Sequence, residues 1–118
     1  MPEMRYVAEA LNFLDWVDTV LNRMIQIGQG PTQQHGYHLL LDVLDGLDAE
    51  RERTRGVGPG WPNDLWYGYR GGLVITADRI RAAMANIPDE PPPEAVAGII
   101  ERLHWFRVLR RDIAALAR

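Results

Sequence analysis

The sequence predicts an all-α chain folded as a single antiparallel four-helix bundle, and three observations carry that prediction. Four stretches of roughly 22 to 25 residues place apolar side chains at spacings of three and four. Glycine and proline separate those stretches, and no strand-like alternation occurs anywhere. At 118 residues the chain is near the modal size of one domain and long enough to bury a core without staples.

The first helix is expected over about 4–27, MRYVAEALNFLDWVDTVLNRMIQI. On a helical wheel, Val7, Ala10, Leu11, Leu14, Val17, Leu21, Met24 and Ile25 belong to an apolar arc of roughly 200°. A surface helix usually shows little more than about 100°, so this helix is expected at the centre of the bundle, touching two or three others. Gly28 and Gly30 end it.

The second helix is expected over about 32–53, after Pro31 and Thr32, with Tyr37, Leu40, Leu44 and Leu47 as its stripe. Gly36 and Gly46 weaken it by up to roughly 1 kcal/mol each relative to alanine and permit a neighbour to come close. Its tail, AERERTR, reads as a solvated helix end.

RGVGPGWPN, residues 55–63, forbids regular structure, and Asn63 or Asp64 is expected to cap a third helix over about 64–87. Its stripe is Trp66, Tyr69, Leu73, Ala77, Ile80, Met84 and Ile87. After the stiff link IPDEPPP, a fourth helix over about 93–117 carries Val96, Ile99, Leu103, Phe106, Arg110, Ile113 and Ala117.

Composition excludes several function classes. No cysteine, serine or lysine is present, so a disulfide framework, a serine or cysteine nucleophile and a lysine-bearing phosphate loop are all ruled out. A net charge of −3 argues against a general nucleic-acid binder. No apolar run reaches the roughly eighteen residues of a membrane span, and acids at Glu3 and Glu9 argue against a signal peptide. A cytoplasmic, soluble protein is expected. The charge is lopsided: residues 42–52 are acidic, whereas the fourth helix is rich in arginine.

Four groups of residues invite a functional reading. The first is HxxHxxxDxxD, which sets His35, His38, Asp42 and Asp45 on one side of the second helix, imidazole and carboxylate both being metal ligands. His35 and Asp45 lie about 15 Å apart along the axis, so one ion takes only an adjacent pair and needs ligands from another helix. Glu101 and His104 have the Glu-x-x-His spacing of di-iron bundles, but away from the core stripe.

The second is the carboxylate set Asp15, Asp18, Asp42, Asp45 and Asp48 on the first two helices, where facing acids would hold a divalent ion, magnesium or manganese, for phosphate chemistry. The arrangement distantly resembles the all-helical nucleotide pyrophosphohydrolases, yet their Glu-x-x-Glu and Glu-x-x-Asp motifs are absent and no family is assigned on it.

The third is a structural ion pair: Arg107 and Arg110 on the inner side of the fourth helix are expected to meet Asp18 or Asp48, because a buried guanidinium needs a carboxylate. The fourth is GVGPGWPNDLWYGYRGG, where Trp61, Trp66, Tyr67 and Arg70 are the residue types of binding hot spots. Trp61 and Trp66 also suit a lid over one end of the core.

The leading functional expectation is a helical regulator, adaptor or inhibitor that binds a protein partner, or a second copy of itself, through that aromatic, glycine-rich end, with no cofactor. A metal-dependent hydrolase of a phosphorylated or nucleotide substrate, using Asp15, Asp18, Asp42, Asp45 and His38, is the alternative. A small-molecule binder with an aromatic-lined pocket is the third reading.

Overall fold

The computed structural model describes residues 4–28, 34–85 and 93–117, without the side chains of residues 27, 28, 34–38 and 93–95. It consists of α1 (Met4–Gly28), α2 (Gln34–Arg53), α3 (Asn63–Ala85) and α4 (Pro93–Ala115). All described regular structure is helical. None of these helices is long and apolar enough to cross a membrane.

The helices close a ring in which α1 packs on α2, α2 on α3, α3 on α4, and α4 back on α1. Paired residues across every seam run in opposite chain directions: Glu9 with Arg53, Glu50 with Tyr69, Gly72 with Trp105, and Asp15 with Arg110. The result is an up-and-down antiparallel bundle of 48 × 24 × 18 Å.

A ring has no central member, so the expected central position of α1 is corrected. Val7, Ala10, Leu14, Val17, Leu21 and Met24 enter the core, while Leu11, Phe13 and Ile25 are only partly buried beside it. The breadth of its arc is spent on two seams flanking one core face.

From α3 the core takes Tyr69, Leu73, Ala77 and Ile80, and from α4 Ile99, Leu103, Phe106, Leu109 and Ile113. On α2 the buried stripe is Leu40, Val43 and Leu47, continued by Glu50 and Thr54, which are 4% and 1% exposed. Within AERERTR, Glu50 and Thr54 continue the core face, while Ala49, Arg51, Glu52, Arg53 and Arg55 are exposed as expected of a solvated helix end.

Two glycines set the register of the helix pairs. The Trp16 indole of α1 lies on Gly46 of α2, and the Trp105 indole of α4 lies on Gly72 of α3. A Cβ at either glycine would overlap the indole, and at Gly72 it would also sit 3.0 Å from Cη2 of Trp105. Each tryptophan is a knob whose hole is a missing side chain.

The α2–α3 loop is held from both sides. Thr54 donates to the carbonyl of Glu50 through its backbone nitrogen (3.0 Å) and its hydroxyl (2.8 Å). Arg70 of α3 donates to the Thr54 hydroxyl oxygen at 3.1 Å and to the Arg51 carbonyl at 3.0 Å, satisfying a free carbonyl at the end of α2. Gly56 and Gly60 take φ values of 69° and 78°, which residues with side chains adopt at a cost. Helix α3 opens with Trp66 N donating to the Pro62 carbonyl at 3.0 Å, one residue before the expected Asn63 or Asp64 cap.

Candidate functional site

The aromatic end of the bundle is built inward. Trp61 is 5% exposed and belongs to the core. Its ring meets Trp66 edge-on at 5.1 Å and Tyr69 at 5.7 Å, the offset and tilted arrangements that aromatic rings favour. Trp66 is half-buried beside them, and Arg70 is committed to the end of α2. Only Tyr67, 72% exposed, points away. The expected recognition surface of Trp61, Trp66, Tyr67 and Arg70 is thus corrected to a cap: three of the four are used in closing the bundle.

Beneath that cap lies a buried polar cluster that the sequence reading missed. Glu50 accepts from Arg53 Nε at 2.5 Å and from a terminal Arg53 nitrogen at 2.8 Å, and it also accepts a hydrogen bond from the Tyr69 hydroxyl. Arg53 reaches on to Glu9 of α1. The cluster ties α1, α2 and α3 together through one carboxylate. The signal was present in the spacing Leu40, Val43, Leu47, Glu50, Thr54, which is 3, 4, 3, 4.

The hydrogen bond to Glu50 raises the Arg53 pKa, against burial, which lowers it. Burial, with the negative charge of Glu50 second, pushes Tyr69 far above the usual tyrosine range. A tyrosine held protonated cannot serve as a base near neutrality, so the cluster is a structural element. It also makes stability depend on alkaline pH. The unfolded chain releases the tyrosine proton near pH 10, whereas the folded chain keeps it. Tyr69 therefore contributes stability that is complete below about pH 10. That contribution falls as pH climbs toward the folded pKa, by about 1.4 kcal/mol per pH unit. Denaturant midpoints should hold level from about pH 8 to pH 9, fall along this slope above about pH 10, and flatten in Tyr69→Phe; an equally steep fall in the variant would assign the loss elsewhere.

Beside the cluster, an open groove of about 390 Å³ runs along the α1–α2 seam, lined by Asn12, Phe13, Trp16, Gly46, Ala49, Glu50 and Arg53. Phe13 and Trp16 form its aromatic wall, their centroids 5.9 Å apart, and Trp16 is 37% exposed. Ala49 presents only a methyl group to it, and Gly46 lets the Trp16 indole lie against α2. Its two charged lining residues, Glu50 and Arg53, are occupied with each other and with Tyr69 and Glu9.

The carboxylates of the alternative reading do not converge. Asp18 pairs with Arg107 and Asp15 with Arg110 at 2.6 Å, so both turn toward α4 and away from α2. Arg107 also donates to Asn22 at 3.0 Å. Asp48 pairs with Arg81 of α3. Asp42 and Asp45 are exposed, and the side chains of His35 and His38 lie outside the described residues. His104 is exposed, with Arg107 3.2 Å from its Nδ1, and Glu101 is exposed as well. Among the described residues no three of His, Asp and Glu gather as a metal-holding group.

The Arg107 and Arg110 pairs differ from the expectation in depth. Arg110 was placed on the core stripe, yet its side chain and that of Arg107 are both 42% exposed, and their partners Asp18 and Asp15 are 40% and 57% exposed. Long guanidinium stems leave the core and deliver the charge to the seam's rim. Asp15's hydrogen bond raises the Arg110 pKa.

No protein-family model, curated protein or solved structure matches the chain.

Proposed function

We propose that this protein is a helical interaction module that receives an apolar anchor from a protein partner in the α1–α2 groove. The observation that carries the reading is the groove's lining. It pairs an exposed tryptophan and a phenylalanine with the methyl group of Ala49, and its charged groups are already satisfied. A groove of that kind rewards an apolar side chain and offers little to a polar metabolite or a phosphate. Antiparallel helices flanking a groove suit the helix-in-groove mode, in which an amphipathic partner helix lays one apolar face along the seam.

Selection of helical peptides against the folded chain tests this. Binders should carry a large apolar anchor and weaken by about tenfold or more when the anchor is truncated, the scale of a hot-spot contact. Ala49→Gln, an exposed position on the groove floor, should produce the same loss without changing the unfolding midpoint. Binders indifferent to Ala49→Gln would overturn the groove as the docking site. A concentration-dependent dimer abolished by the same substitution would replace the foreign partner with a second copy of the chain.

A further inference from the structure

The α3–α4 seam, on the opposite side of the ring from the groove, holds an arginine that lacks both the carboxylate partner of Arg53, Arg81, Arg107 and Arg110 and the carbonyl and hydroxyl acceptors of Arg70. Arg53 is neutralised by Glu50 and Glu9, Arg81 by Asp48, Arg107 by Asp18 and Arg110 by Asp15. Arg102 has no carboxylate partner, although its Nε is buried and lacks any hydrogen-bond partner among the described residues. Its guanidinium lies over the Trp105 ring, 5.0 Å from the centroid, and Trp105 is itself fixed in the Gly72 notch. Its charged neighbour is another arginine: burial lowers the Arg102 pKa, and the positive charge of Arg79 lowers it further.

The register explains why the two meet. Trp105 against Gly72 aligns α4 with α3 in opposite directions. Arg79 then stands two turns beyond Gly72, and Arg102 one turn back from Trp105 toward the same end of the bundle. Their Cα positions differ by about 6 Å along the axis, well within the reach of two arginine side chains. Arg79 is exposed and has no carboxylate partner among the described residues either: Asp78, beside it, is 3.5 Å from Arg81, and Glu101, beside Arg102, pairs with neither.

A buried donor left open costs free energy, and so does a pair of like charges. An anion supplied from solution, held by the terminal guanidinium nitrogens, offsets the like charges and balances the charge on the Arg102 group whose Nε is buried. We infer that Arg79 and Arg102 form a binding site for a phosphate dianion, carried as inorganic phosphate or as a phosphate monoester, with Trp105 holding the Arg102 guanidinium in place. Two guanidinium groups supply two positive charges and a set of forked donors. A phosphate dianion matches both charges, whereas a carboxylate matches one.

The experiment is a titration of the full chain with inorganic phosphate at constant ionic strength, followed by the arginine Nε–Hε resonances and by the unfolding midpoint. The Arg102 and Arg79 signals should shift and saturate while those of Arg53 and Arg107 stay still, and the midpoint should climb. Arg79→Gln should weaken binding by about tenfold, the scale of one charge-assisted hydrogen-bond set. Without phosphate it should raise the midpoint, because the like charge is gone. Arg102→Met, which keeps the apolar stem over Trp105, should abolish saturation. A shift shared evenly by all exposed arginines without saturation would overturn the site, as would saturation unaffected by both substitutions. Acetate binding as tightly as phosphate would overturn the assignment to a dianion. A phosphate monoester such as phenyl phosphate, run as a second arm, separates the two sources: tighter binding than inorganic phosphate assigns the site to a phosphorylated ligand, and weaker binding to the free ion.

Discussion

Glu50→Ala is expected to lower stability by about 3 kcal/mol, a drop on the order of 10 °C in the unfolding midpoint for a chain of this size. The carboxylate is 4% exposed and accepts from both Arg53 and Tyr69. Removing it leaves the Tyr69 hydroxyl, in a fully buried side chain, without its acceptor, and takes from Arg53 the partner that accepts two of its hydrogen bonds. The loss stays at the lower end of the range for a broken buried pair because Arg53 is one-third exposed and keeps Glu9. Glu50→Gln preserves size and an acceptor for the tyrosine, so it should cost less. A cycle combining Glu50→Ala with Tyr69→Phe should show a coupling of 1 kcal/mol or more, since each removes the other's partner. A Glu50→Ala chain that unfolds at the wild-type midpoint would show the cluster to be a bystander of packing.

How far the sequence could be read depends on what kind of signal each feature leaves. Helix existence and extent follow from spacing, and α3 shows it well: Tyr69, Leu73, Ala77 and Ile80 are buried along the expected stripe. On α2 the spacing is equally regular and Leu40 and Leu47 are buried as expected, but the buried residue between them is Val43 and not Leu44. That shift hid Glu50 and Thr54, because a glutamate among AERERTR looks like solvent when the stripe is drawn through Leu44. Arg110 failed in the opposite sense: its wheel position is apolar, yet its length lets the charge escape to Asp15 at the rim. The glycines were legible as weak points and as places of close approach, but only the fold says which neighbour comes. The groove between Trp16 and Ala49 left no pattern at all, since it is a shape made by two helices and belongs to neither sequence alone.

Trp61→Ala is expected to cost about 3 to 5 kcal/mol, the range for a large aromatic cut out of a core. A loop tryptophan flanked by glycine and proline reads from the sequence either as a lid over the core or as a side chain free to meet a partner, and on the second reading the same substitution would be nearly silent. Its burial favours the lid. The indole packs edge-on against Trp66 and tilted against Tyr69, so its removal uncovers the ring whose hydroxyl holds Glu50. Water entering there would reach the Glu50 carboxylate, which is buried beneath the cap. Trp61→Phe separates the two contributions. Trp61 Nε1 has no hydrogen-bond partner among the described residues, so phenylalanine gives up little polar satisfaction while keeping much of the aromatic volume. It should therefore cost far less than alanine. Denaturant midpoints for the pair decide the matter: two small and equal losses would return Trp61 to the surface and reopen the aromatic end as a recognition site. A large loss confined to alanine would make the cap part of the fold. Binding would then be sought in the groove between α1 and α2, and peptide affinity of the folded fraction should be the same with tryptophan or phenylalanine at position 61.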